Sequence, residues 1–143
     1  MAWLVDTNVL VYRHDPRFPD KQKRARELLR QGLADGEVRV PHQGIVEFVA
    51  ATTRPLGSGG PSLLSAEEAR RRAEELLNEF PVLYPCDAIV RLALRGMPAY
   101  GLSWFDAHIW AYAEFFGLRQ LYTEDFQNGR TYGTVRIVNP FTA

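Results

Sequence analysis

Short apolar runs alternate along this chain with longer segments whose apolar residues recur at helical spacing, so the pattern predicts strands and helices in turn. Trp3-Leu4-Val5 reads as a first strand, and Asp6-Thr7-Asn8 supplies polar residues suited to capping a following helix. Residues 21 to about 33 place Ala25, Leu28, Leu29 and Leu33 on one face and stop before Asp35-Gly36, which predicts an amphipathic helix. Residues 38–40 read as a strand broken by Pro41. Residues 43–53 are apolar nearly all round, which predicts a buried helix in which Glu47 is the only charge.

The stretch from Pro55 to Pro61 is a loop, and it lacks the Gly-Lys-Ser/Thr ending of a phosphate-cradling P-loop. Ser65-Ala66-Glu67-Glu68 fits a capping box. The helix it opens lines Ala66, Ala69, Ala73, Leu76 and Leu77 on one face, with Arg70-Arg71-Arg72 read as a solvated run. Val82-Leu83-Tyr84 is the next strand, followed by a short helix near residues 88–94 and another over 103–116 closed by Gly117. Residues 120–123 and 135–138 complete the strands. Strands alternating with helices predict an α/β domain with a mainly parallel sheet, and 143 residues suit a single domain over 1–143.

Composition narrows the chemistry. Lys plus Arg and Asp plus Glu are balanced at 17 each, so a surface for nucleic acid has to be local. Lys occurs only at Lys21 and Lys23, and the Arg-rich remainder favours bidentate contacts to phosphate or carboxylate. A single cysteine, Cys86, excludes an intrachain disulfide and thiolate-based structural zinc, and reads as a buried structural thiol. No basic-then-apolar leader and no membrane-length apolar span is present, which points to the cytoplasm and to no membrane partner.

Four acids interrupt or cap apolar segments: Asp6, Glu47, Asp106 and Asp125. A carboxylate in such a place must be paired, protonated or metal-bound, because desolvating it alone is costly. Asp6 and Asp125 follow predicted strands, where open α/β sheets bind ligands. Each acid also has a plainer role. Asp6 and Asp125 suit caps or turns, Glu47 could pair with Arg54, and Ser103-x-x-Asp106 resembles a capping box. If the four converge, oxygen-only ligands select Mg²⁺ or Mn²⁺ over zinc, and such a site suits phosphodiester hydrolysis.

In order and spacing these segments resemble a PIN domain, and more closely the VapC-type ribonuclease toxins of prokaryotic toxin-antitoxin pairs. The likeness rests on Val5-Asp6-Thr7-Asn8, Glu47 in its apolar helix, Leu102-Ser103-Trp104-Phe105-Asp106-Ala107 and Leu121-Tyr122-Thr123-Glu124-Asp125. The closing Phe126-Gln127-Asn128-Gly129 and the run from Val135 to Phe141 add to it. The resemblance implies a PIN-like three-layer α/β/α fold with a mainly parallel central sheet. It also implies an acidic quartet of Asp6, Glu47, Asp106 and Asp125 binding Mg²⁺ or Mn²⁺, supported by Asn8, Thr123 and Glu124. An RNA substrate, a homodimer and a cognate antitoxin follow from the same likeness.

Within that reading, Arg13, Arg130 and Arg136 are candidates for holding the RNA backbone. Trp104 or Tyr132 could stack an unpaired base, with packing the plainer role for each. His108, where such chains often carry an aliphatic residue, reads as a packing residue. Two alternatives remain. An aspartate-nucleophile phosphotransfer fold fits poorly, because Asp6-Thr7-Asn8 lacks a second acid two residues on. A non-catalytic PIN-like module binding RNA or protein is the other.

Overall fold

The computed structural model describes residues 1–142, among which lies one six-stranded sheet in the order β3-β2-β1-β4-β6-β5. The elements are β1 (Trp3–Val5), α1 (Thr7–Tyr12), α2 (Pro19–Asp35), β2 (Val38–Pro41), α3 (His42–Thr53), α4 (Ala66–Glu79), β3 (Val82–Leu83), α5 (Asp87–Tyr100), α6 (Trp104–Phe115), β4 (Gln120–Tyr122), β5 (Thr131–Tyr132) and β6 (Val135–Val138). All neighbouring strands pair in parallel except β5 and β6.

Side-chain alternation along the strands separates two cores. Leu4, Leu121, Val135 and Ile137 face Ile89 and Ala93 of α5 and Ile109 and Trp110 of α6. Trp3, Val5, Val38 and Val40 face the opposite way, onto Val9, Leu10, Leu28, Leu29, Phe48 and Leu76 of α1 to α4. This is the three-layer α/β/α sandwich that the resemblance implied, with the mainly parallel sheet that the pattern of strands and helices predicted. The chain runs outward from β1 to β2 and β3, then crosses back to place β4 on the other side of β1. That reversal leaves a crevice beyond the carboxyl ends of β1 and β4, where doubly wound sheets bind ligands.

Several expectations need correction. The helix expected over 88–94 runs from Asp87 to Tyr100 and closes on Gly101 at φ 65. Gly96 and Pro98 look like breakers, yet Gly96 is the point of closest approach to α6: a Cβ there would lie 2.6 Å from the Trp110 ring. Trp110 cannot easily retreat, since its indole N–H donates to the Tyr132 carbonyl at 2.9 Å. Gly96→Ala should therefore cost about 1–3 kcal/mol, read as a lowered midpoint in urea unfolding with an unchanged slope.

The helix expected to be buried all round, α3, exposes Val46 (56%), because only its Gly44, Ile45, Phe48 and Thr52 side packs inward. Cys86 is exposed rather than buried: it precedes α5 at the N-cap, outside the packed face. The hairpin strand β5 was not expected; Gly133, at φ 61, opens the two-residue turn that lets Tyr132 pair with Val135. No described helix is long and apolar enough to cross a membrane.

Candidate active site

The crevice is built around Asp6, which ends β1 and caps α1. Its own amide donates to the Tyr122 carbonyl of β4 at 3.0 Å, fixing it across the switch point. Its carboxylate is nearly buried, at 4% exposure, and both oxygens are held. Oδ1 accepts from the Thr7 amide at 2.7 Å, and Oδ2 accepts from the Thr123 hydroxyl at 2.8 Å. Each oxygen retains a lone pair for another ligand. Thr123 is a hub: its hydroxyl accepts from Asn8 Nδ2 at 3.2 Å and from the Asp125 amide at 3.0 Å, so its proton goes to Asp6. Asn8 Nδ2 also reaches Asp125 Oδ2 at 3.1 Å.

Glu47 projects from the first half of α3. Its Oε1 accepts from the Thr7 hydroxyl at 2.6 Å and its Oε2 from Gln43 Nε2 at 3.1 Å; Arg54 takes no part. Gln43 also donates to the Phe105 carbonyl at 3.1 Å, tying α3 to the head of α6. There Ser103 caps the helix by accepting from the Asp106 amide at 3.2 Å. The Asp106 carboxylate makes no return bond to the Ser103 amide, so only half of the expected capping box forms.

Electrostatics show the four acids sharing one field. Burial pushes the Asp6 carboxyl up to about 7; the Thr123 hydroxyl and Thr7 amide oppose this, while the charges of Asp125 and Glu47 add to it. Asp106 is raised too, by burial first, opposed by Ser103 and reinforced by Asp125 and Glu47. Mutual repulsion of this kind is what a divalent cation relieves.

The donors suit a hard cation: carboxylate oxygens, a hydroxyl and an amide oxygen. Asn8 Oδ1 is buried with no hydrogen-bond partner among the described residues, an orphaned acceptor beside the acids. Among those residues no three His, Cys, Asp or Glu side chains are already drawn together around a metal-sized position. Asp106 is half-buried and Asp125 exposed, beside the fixed and nearly buried Asp6.

Other expected residues lie elsewhere. Glu124 turns away from the acids, accepting from the Tyr12 hydroxyl at 2.5 Å and from Lys21 Nζ at 2.8 Å. Arg13 sits at the far end of α1, Arg130 stacks over Tyr132 at 4.4 Å, and Arg136 is exposed on β6. Tyr132 is buried in the core, so it offers no face to a base, whereas Trp104 is 38% exposed. His108 packs edge-on against Trp104 and donates from Nδ1 to the Trp104 carbonyl at 2.8 Å. Two participants were not anticipated, Thr7 and Gln43. Gln43 precedes Glu47 by one helical turn, a spacing that marks it as a partner.

Solved structures with this fold include a toxin-antitoxin complex from Klebsiella pneumoniae, 18% identical, covering 97% of this chain and 98% of its own with a TM-score of 0.66. FitAcB from Neisseria gonorrhoeae is 19% identical, covers 98% and 99%, and has the same TM-score of 0.66. VapC20 of Mycobacterium tuberculosis, a sarcin-ricin loop cleaving toxin, is 16% identical over 87% and 90% with a TM-score of 0.61. No curated protein matches the sequence. The PIN domain model matches residues 3–132, nearly the whole length over which the sheet and its acidic crevice are built, and the chain belongs to the PIN domain family.

Proposed function

We propose that this chain is a Mg²⁺- or Mn²⁺-dependent endoribonuclease of the VapC type, the toxin of a toxin-antitoxin pair acting in the cytoplasm as a homodimer. The observation that supports the reading is that Asp125 and Glu47 both act by charge on Asp6 and on Asp106 at one crevice of a PIN domain. The likeness to VapC20 and to the Klebsiella pneumoniae toxin-antitoxin complex supports the toxin class and the antitoxin partner.

A bound divalent ion would supply an activated water and charge neutralisation at the scissile phosphate. Asp6, Asp106 and Asp125 would hold it, with Glu47 completing the charge balance. The chain's own contribution is positional. Thr7 and Thr123 fix the Asp6 carboxylate, Asn8 links Thr123 to Asp125, and Gln43 anchors Glu47 to the head of α6. Exposed Arg130 and Arg136 remain candidates for the RNA backbone.

The test is cleavage of a mixed RNA substrate by purified chain. Cleavage in millimolar Mg²⁺ or Mn²⁺, lost with chelator, is the expected result. Metal-loaded, folded protein that leaves every RNA intact would favour a non-catalytic PIN-like binding module instead.

A further inference from the structure

A second polar recess lies between α1, α2 and α4, with a volume of about 250 Å³, lined by Arg13, His14, Arg26, Arg72, Glu75 and Glu79. Arg13 follows Asp6 by seven residues, which along a helix is roughly 10 Å, so the recess is distinct from the acidic crevice. We propose that this recess is an anion-binding site that seats a single carboxylate carried by a protein partner.

The first ground is Arg13. Its guanidinium stacks 5.6 Å from the Phe80 ring, its Nε is buried with no hydrogen-bond partner, and no carboxylate pairs with it among the described residues. Half-buried arginines normally have an acidic partner, because an unpaired buried cation is disfavoured. The second ground is His14, whose ring packs against Phe48 and whose Nε2 is likewise buried without a partner. Two orphaned nitrogens thus border one cavity.

The surrounding charges define what fits. Arg72 is occupied by Glu68 and Glu75, and Arg26 Nε donates to the Arg13 carbonyl at 3.3 Å. With Arg71 and Arg72 balanced by Glu68 and Glu75, Arg13 and Arg26 face Glu79 alone, which leaves one positive charge in excess and matches one anionic group. Glu75 and Glu79 would repel the successive phosphates of an RNA strand, so an isolated carboxylate on a polypeptide is favoured. Burial also depresses the Arg13 guanidinium, against the charges of Glu79 and Glu75, and with the charges of Arg13, Arg72 and Arg26 brings His14 down to about 4, against the pull of Glu75. A bound carboxylate would relieve both and draw a proton onto His14.

The assignment of a protein as the carrier rests on the partner proposed above, and two measurements separate the claims. In the first, imidazole NMR of the full chain is followed during titration with sodium acetate at constant ionic strength. His14 resonances should shift saturably and its titration midpoint should rise by about one pH unit, with His42 and His108 unmoved and the response lost in Arg13→Gln. Absence of a saturable shift overturns the site. Inorganic phosphate binding tenfold tighter than acetate overturns the carboxylate assignment.

In the second, the product of the adjoining reading frame is bound to Asp6→Asn chain. Adding Arg13→Gln should weaken the complex at least tenfold, whereas Arg70→Gln on the solvated face of α4 should not. An unweakened Arg13→Gln complex overturns the inference and leaves the toxin reading standing. Failure of the parent chain to bind that product overturns the toxin-antitoxin reading and, with it, the carrier.

Discussion

Asp6→Asn and Asp106→Asn should each lower RNA cleavage by at least about a hundredfold, in the range expected when a positioned catalytic group is removed, without unfolding the chain. The substitution at Asp6 conserves shape, and its amide oxygen can still accept from the Thr7 amide at the start of α1. What disappears is the negative charge proposed to hold a cation and, where the amide nitrogen faces Thr123, also the acceptor for its hydroxyl. Asp106 stands at the head of α6 with its amide already satisfied by Ser103, so its neutral variant keeps the helix cap. Cleavage of a fluorogenic RNA, with circular dichroism on the same samples, checks both. Wild-type rates from the two variants would remove the acidic crevice from the mechanism.

The second large effect is on stability without metal. Unfolded Asp6 ionises near 3.8 and folded Asp6 at about 7, so between those values the folded chain holds the extra proton. Stability then falls as pH rises through that window and the loss is complete above it. At about 1.4 kcal/mol per pH unit, the penalty at pH 8 is roughly 4 kcal/mol. His14 works in the opposite sense: its folded value of about 4 lies below 6.5, so it costs stability as pH falls below neutrality.

Comparing variants isolates the Asp6 contribution. Asp6→Asn should unfold at a higher temperature than wild type at pH 8 in chelator, by several degrees, and show little advantage at pH 4.5. Millimolar Mn²⁺ should narrow the gap at pH 8 by stabilising only the wild type. A gap that does not change with pH would mean that the Asp6 charge is not strained in the folded chain.

The parts of the fold visible in sequence are those where local pattern and tertiary environment agree. Trp3-Leu4-Val5 and Val135-Arg136-Ile137-Val138 are apolar enough to be read as strands, and Ser65 and Ser103 cap the helices they precede. Asp6 and Asp125 could be placed at strand ends for the same reason. Tertiary contacts decided the rest. The helix expected near 88–94 was set too short, because what carries it past Gly96 is room for Trp110 on another helix. The exposed side of α3 could not be separated from its buried side, since both are apolar. The Thr7–Glu47 bond spans 40 positions, and Glu124, adjacent in sequence to Asp125, was drawn away by Lys21 and Tyr12.

The order of strands carries a consequence for synthesis. β1 is completed by residue 5, but its neighbour on the crevice side, β4, begins only at Gln120, and the Thr123 hydroxyl that holds Asp6 comes 117 positions later. Until those residues leave the ribosome, one edge of β1 has no partner and the acids have no common centre. A crevice assembled this way stays incomplete for most of translation, and a chain cut short before β4 cannot gather the four acids.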